Sequence, residues 1–579
     1  MNSTNDPQPM ATGPQPADFP SAKTSILVTN PRSLVSIPQP PPWWQKEVIY
    51  QIYPRSFQDS TGDGVGDLPG ITSRLDYLQE LGVGGIWLSP IYPSPMHDFG
   101  YDVSDYMAIS PEFGTMDDFI TLLDEAHRRD IRVIMDLVLN HTSDEHPWFQ
   151  ESAASRDNPK RDWYIWQGDS ENRPPNNWKS VFGGSSWQWH PGTKQFYLHS
   201  FLIEQPDVNW RNPELQEAMW DVIRFWLDLG VDGFRLDVVN CFVKDEQFRA
   251  NPRRYWGVRP YDWQHHIYDR DRLETIKVMG RIRSLVDQYP DRMTVGEVMA
   301  EKPGNPPLAA AYCDGGRGLH MSFNFAFLHC SWRAEAFADV IDEWETLLGP
   351  NPWPNYTLSN HDWPRSISRY ARGKDTQARA KVAAAMLLTL RGTPFLYYGE
   401  EIGMTNGRIP RGQLQDPVGK RYWPFHPGRD PVRTPMQWDT SANAGFSPVD
   451  PWLPVNKNYQ TANAATQTEE STSLLNWYRA LIKLRRRQPA LQSGSYKPVR
   501  VENDVFCFER QLGEDRILVA LNFSSKVSKL SLPTPGHWNL LLSESGITGQ
   551  GMTAPLLSGQ TNLPPNGLLI AQDRSSGQT

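Results

Sequence analysis

The feature that most constrains this chain is a rhythm. Short runs rich in β-branched and aromatic residues alternate with helix-spaced segments at 48–54, 85–90, 132–136, 233–240, 293–298, about 320–325, 355–359 and 394–398. Helical spacing is clearest at 116–130, where Phe119, Leu122, Leu123 and Ala126 share a face, and helices are also predicted at 71–81 and 213–230. Eight strands separated by helices predict an α/β fold, a (β/α)8 barrel. An open doubly wound sheet is the rival arrangement.

Two segments break the rhythm. Residues 142–210 are dense in Trp, Pro, Asn, Asp and Gly, show no clear helix-strand unit, and leave the third strand. A loop of that length inside a barrel is usually functional, and here it predicts an inserted domain roofing the C-terminal face. Short β-like runs at 505–508, 517–521 and 568–570 predict a C-terminal β-sandwich over 488–572. The barrel then occupies 43–141 and 211–487. Residues 1–42, rich in Pro, Ser, Thr, Asn and Gln, read as a disordered tail, and 573–579 as a short second tail.

Charge excludes one class of partner. A net charge of −9 argues against a nucleic-acid backbone, which needs clustered basic surface. No apolar run reaches membrane-spanning length and the N-terminus lacks a basic start followed by an apolar segment, so no membrane partner is expected. Cys241, Cys313, Cys330 and Cys507 show neither close pairing nor metal-type spacing. They predict buried thiols in a reducing, cytoplasmic compartment, and the sequons at Asn140, Asn355 and Asn522 read as chance matches, Asn140 and Asn355 falling in or near predicted barrel strands.

Chemistry gathers at the strand ends, where barrel active sites form. Along 233–240, strand alternation puts Arg235 and Asp237 on one face and Phe234, Leu236 and Val238 on the other. A guanidinium beside Asp237 would hold it ionised as a nucleophile; a plain buried ion pair is the bland alternative. The third strand ends in Asp136 to His141, the fifth in Gly296-Glu297-Val298 and the seventh in Asn360-His361-Asp362. Three carboxylates over one mouth suit a retaining glycosidase, in which one carboxylate attacks the anomeric carbon and a second protonates the leaving oxygen. Two ionised neighbours would raise the pKa of Glu297 for the second task.

These four regions, in this order, resemble the signature regions of the α-amylase superfamily, glycoside hydrolase family 13, over about 43–572. The resemblance implies Asp237 as nucleophile, Glu297 as acid/base and Asp362 as transition-state stabiliser. It implies His141, Arg235 and His361 as contacts to the terminal sugar. The segment from Asp98 to Asp102 is similar to one in exo-acting α-glucosidases, in which Asp98 and Tyr101 would close the pocket and Arg433 would pair with Asp98. Residues 205–210 resemble the motif of the oligo-1,6-glucosidase and α-glucosidase branch. The implied activity is removal of single α-glucose units from maltose-like disaccharides and short oligosaccharides by a monomer or homodimer. The alternatives are isomaltose-type substrates, towards which Val238 leans, and a sucrose-acting or transglucosylating relative. A non-catalytic transporter-type scaffold would carry a membrane span and tolerate lost carboxylates.

Residues 59–67 place oxygen donors at alternate positions around glycines, as a hard-cation loop requires. In related α-glucosidases this loop holds Ca2+ or Mg2+, which implies Asp59, Thr61, Asp63, Val65 and Asp67 as ligands. A glycine-rich turn with solvated acids is the alternative. No organic cofactor is expected.

Overall fold

Apolar, β-branched and aromatic residues form eight short parallel strands in the computed structural model: β1 (Ile49–Ile52), β2 (Gly85–Leu88), β3 (Arg132–Leu137), β4 (Gly233–Leu236), β5 (Met293–Gly296), β6 (Met321–Ser322), β7 (Asn355–Thr357) and β8 (Thr393–Tyr397). Residues 40–573 are described apart from 256, 258, 300–303, 371–372, 533–537, 544–545 and 548–555. The predicted tails therefore lie almost wholly outside the described residues. The strands hydrogen-bond in the order β7-β8-β1-β2-β3-β4-β5-β6. Between the two ends, β6 and β7, the described contact is a side-chain one: Asn355 Nδ2 donates to the Ser322 carbonyl at 3.2 Å.

Side chains fill the barrel, as they must in a fold of this diameter. Ile49, Trp87, Ile134, Met293, Val295, Met321 and Phe395 form one buried cluster, joined by Trp43 from the segment before β1. The amphipathic helices pack outside. Met116–Arg128 is one of them, started by a capping box between Thr115 and Asp118. The predicted helix 71–81 is two helices, Leu68–Ser73 and Leu75–Leu81, broken at Arg74.

The segment 142–210 contains more structure than its composition predicts. It holds a helix, Pro147–Ala154, and a three-stranded antiparallel sheet of Trp166–Gln167, Gln195–Leu198 and Trp187–His190. Strands of two to four residues are too short for periodicity to register.

After the helix Leu474–Arg487 the chain forms a seven-stranded sheet covered on one face by the pair Ser528–Ser531 and Gln560–Leu563. Alternation divides its residues cleanly. Phe506, Phe508, Val519 and Leu521 join the main core, while Cys507, Leu518 and Ala520 pack under the two-stranded layer. It is a lopsided sandwich. All four cysteines are buried and free. The three sequon asparagines are buried as well, so none offers an accessible acceptor. Among the described residues no helix is long and apolar enough to cross a membrane.

Candidate active site

Strand register assembles the first layer of the site. Arg235 on β4 lies opposite Asp136 on β3 and Val295 on β5. Gly233 permits that fit, because a Cβ there would sit 2.5 Å from the Met293 carbonyl oxygen. Arg235 is buried and donates from Nη1 to Asp136 Oδ1 at 2.6 Å and to Asp237 Oδ1 at 2.7 Å, while Nη2 contacts Glu297 Oε2. One guanidinium thus touches acids from three strand ends. The sequence indicated the Arg235–Asp237 pair; that Asp136 and Glu297 share the same cation is visible only in three dimensions.

β4 stops earlier than predicted. Asp237 N–H still donates to the Leu137 carbonyl at 3.0 Å, but Val238 turns into the left-handed region at φ 37° and ψ 49°, and 239–241 form a 3-10 turn. Val238 therefore does not share the face of Phe234 and Leu236. It packs with Phe182, Phe201, Cys241 and Val418 beside the nucleophile position. A β-branched residue at positive φ is costly, so the surrounding packing must hold it there.

A hydrogen-bonded chain orients the second layer. His361 is buried, and burial drives its pKa down to about 3, so the ring is neutral. Gln51 Nε2 lies 2.8 Å from Nδ1 and Tyr101 Oη lies 2.8 Å from Nε2. The amide donor makes Nδ1 the acceptor, which assigns the ring proton to Nε2. His361 then donates to Tyr101, whose hydroxyl donates to Asp136 Oδ2 at 3.0 Å. Asp136 also accepts from Trp87 Nε1 at 3.2 Å.

At the far end the expected Asp98–Arg433 pair is not formed. Arg429 Nη2 instead donates to Asp98 Oδ1 at 2.5 Å and contacts Asp416 Oδ1 at 2.6 Å, while Arg429 Nη1 lies 3.5 Å from Asp362 Oδ1. Arg433 Nη2 donates to Asp362 Oδ1 at 2.9 Å and its Nε to the His361 carbonyl at 3.0 Å. The two arginines are four residues apart in an irregular segment, where no periodicity tells which one reaches which acid. Arg429 and Asp416 were both missed. Asp416 did carry a signal, an acid before a proline that caps the helix Pro417–Tyr422. The roof closes on the same end: Gln205 Nε2 donates to the Tyr101 carbonyl at 3.2 Å and also lies 3.2 Å from His141 Nε2. His141 Nε2 is itself 3.0 Å from that carbonyl, and burial holds its pKa below the usual value.

Arg429→Ala removes the cation shared by three carboxylates, Asp98 and Asp416 being buried. Stranding such charges costs about 3–5 kcal/mol. Urea unfolding of the variant is expected to show a loss of that size, together with a raised KM; an unchanged midpoint would contradict the network.

The carboxylates are driven apart electrostatically. Burial pushes Asp237 up to about 6 against the pull of Arg235. Burial also opposes the Asp362 anion, but the guanidiniums of Arg429, Arg433 and Arg235 outweigh it and hold that carboxyl well below the usual range. A nucleophilic Asp237 must be ionised, and its pKa here is raised, so activity falls as pH drops through about 6. The acid limb of kcat/KM is expected near pH 6 rather than near 4, and a pH–rate profile reads this directly.

The loop 59–67 is held by its own acids. Asp59 accepts from Gly62 N–H, Gly64 N–H, Thr61 Oγ1 and Ser447 Oγ. Asp67 accepts from Ser60 N–H and Oγ, Thr61 N–H and Gly70 N–H. Val65 N–H donates to Asp63 at 2.8 Å. Hydrogen bonds outweigh burial at Asp59 and keep its carboxyl below the usual range, so it is an anion. Among the described residues no three His, Cys, Asp or Glu side chains gather as a metal cluster.

Acids from the ends of β3, β4, β5 and β7 converge on the C-terminal mouth of a (β/α)8 barrel, the arrangement of a barrel glycoside hydrolase. Comparison with known proteins gives the family. Residues 51–494 match the alpha amylase catalytic domain and 499–571 the alpha amylase C-terminal all-beta domain. The chain belongs to the α-amylase family. It is 42% identical to a probable alpha-glucosidase of Rhizobium meliloti (strain 1021) over 92% of this chain and 97% of that one. It is 41% identical to an oligo-1,6-glucosidase of Parageobacillus thermoglucosidasius over 85% and 92%. Among solved structures, the alpha-glucosyl transfer enzyme XgtA superposes with a TM-score of 0.86 at 41% identity, covering 92% of this chain and all of that one.

Proposed function

We propose that the chain is a retaining, exo-acting α-glucosidase that releases α-glucose from the non-reducing end of maltose-like disaccharides and short oligosaccharides. The observation that carries this reading is the ion-pair cluster of Asp98, Arg429 and Asp362, with Gln205 bonded to Asp98; on this reading it closes one end of the site. A chain end fits such a pocket and a threaded polymer does not. Asp237 attacks the anomeric carbon as Glu297 gives its proton to the departing oxygen, leaving a glucosyl ester on Asp237. Glu297 then takes a proton from water, which opens the ester and returns the α-anomer. Arg235 holds Asp237 ionised and oriented, and Asp362, kept anionic by its arginines, stabilises the developing positive charge. To His141, His361 and Tyr101 this reading assigns contacts with the sugar hydroxyls.

Val238 supports a second reading, an isomaltose-type specificity: in the α-glucosidase branch this chain resembles, valine directly after the nucleophile goes with α-1,6 preference, and here its side chain packs in the apolar cluster next to Asp237. Initial rates of glucose release from maltose and isomaltose, measured side by side, separate the two. Faster maltose cleavage is expected; faster isomaltose cleavage would replace the first reading by the second, and release from neither would remove both.

The loop Asp59–Asp67 is the candidate seat for a structural Ca2+ or Mg2+ ion. All-oxygen donors and an ionised Asp59 suit a hard cation. Its residues would hold the ion without touching the substrate. Treatment with EDTA is expected to lower the melting temperature and added Ca2+ to restore it; an unchanged melting curve would count against the site.

A further inference from the structure

The ladder between β4 and β5 carries an irregularity just past the two carboxylates. Glu297 N–H donates to the Leu236 carbonyl at 2.9 Å, and the Glu297 carbonyl accepts from Val239 N–H at 2.9 Å. In a regular parallel ladder one residue bonds to partners two positions apart, which here would be 236 and 238. The left-handed Val238 is the extra residue, a bulge in the strand that carries the nucleophile. Beyond it the chain winds into the 3-10 turn 239–241.

A side chain makes the next rung. Asn240 Oδ1 accepts from Met299 N–H at 2.9 Å, and Asn240 Nδ2 donates to the Met299 carbonyl at 2.7 Å. A carboxamide carries an acceptor and a donor side by side, so it can pair with a strand as another backbone would. Its orientation is fixed, since Met299 N–H requires the oxygen and the carbonyl requires the nitrogen. The same Nδ2 donates to Asp271 Oδ1 at 2.6 Å, and Asp271 N–H donates to the Asn240 carbonyl at 2.8 Å. Asn240 is fully buried, so this pairing meets no competition from water.

The clip matters unequally to the two carboxylates. Asp237 has anchors of its own, its N–H on the Leu137 carbonyl and its carboxylate on Arg235. Glu297 must leave Arg235 to take up a proton, and its direction then depends on the backbone that bears it. On the double-displacement reading of the site, we infer that Asn240 is a positioning residue for the general acid. Its amide ties the end of β5 to the segment after the nucleophile, and so keeps Glu297 aimed at the departing oxygen across a carboxyl separation that a retaining pair holds at about 5–5.5 Å.

The test compares a substrate whose leaving group needs a proton with one whose leaving group does not. The first is whichever of maltose and isomaltose the wild type cleaves faster; the second is 4-nitrophenyl α-glucoside. In Asn240→Ala, kcat/KM on the disaccharide is expected to fall about 10–100-fold, the scale of a small misplacement of a catalytic group, and on the aryl glucoside by no more than about threefold. Asn240→Asp keeps the side chain's shape but turns a carboxylate oxygen towards the Met299 carbonyl and the Asp271 carboxylate, so the same split is expected. The ratio of the two kcat/KM values is independent of how much of a sample is folded. A merely structural role would therefore lower both alike. Equal losses on the two substrates, or no loss on the disaccharide in either variant, overturns the inference. Failure of the glucosidase reading shows separately, as a wild type that cleaves neither substrate.

Discussion

Asp237→Asn is expected to lower kcat on any substrate by at least about 10⁴-fold, the scale of removing a nucleophile, and to leave the melting temperature nearly unchanged. Both halves come from the site. The amide cannot form the glucosyl ester, so the route through a covalent intermediate closes. Arg235 keeps Asp136 and Glu297 as partners when Asp237 loses its charge, so no buried cation is stranded. The substitution also removes a carboxylate that burial already disfavours. Steady-state rates and a thermal melt check the pair of claims. Activity within tenfold of wild type would remove Asp237 from the mechanism, and collapse of the fold would assign it a structural role.

Glu297→Gln separates the acid from the nucleophile. Loss of a general acid costs about 10²–10⁴-fold where the leaving group needs a proton, and maltose has such a leaving group. 4-Nitrophenyl α-glucoside does not, so its first step should run near the wild-type rate and glucosyl-enzyme should accumulate because the water-activating base is missing. Added azide, which needs no base, is expected to restore turnover and give α-glucosyl azide. Equal losses on maltose and the aryl glucoside, with no azide effect, would contradict the role of Glu297. Its contact with Arg235 adds a condition: the side chain must part from that cation when it takes up a proton, because a guanidinium favours the anion.

Legibility in the sequence followed the range of the interactions. The barrel was readable because alternation of strands and helices is a local property, repeated eight times. Arg235 and Asp237 were readable as neighbours because two residues on one strand face are close whatever the fold does. Asp136, Glu297 and His361 were readable as strand ends, but the way Arg235 gathers the first two and Gln51 fixes the third depends on register between strands far apart in sequence. The exchange of Arg433 for Arg429 at Asp98 has the same origin. Both arginines sit in an irregular stretch after β8, and only the path of that stretch decides which guanidinium arrives. Strand length was over-read at β4 and β6, where apolar residues continue past the last ladder bond. At β4 the cause is visible, the left-handed turn at Val238. The inserted sheet of 166–198 was hidden because its strands, two to four residues long, span at most two periods of alternation.

The most direct test of the account is the anomeric configuration of the first glucose released from 4-nitrophenyl α-glucoside, followed by proton NMR before mutarotation. Double displacement through Asp237 predicts that α-glucose appears first and β-glucose grows only later. β-Glucose as the first product would mean a single displacement by water, and the assignment of Asp237 as a covalent nucleophile would be wrong.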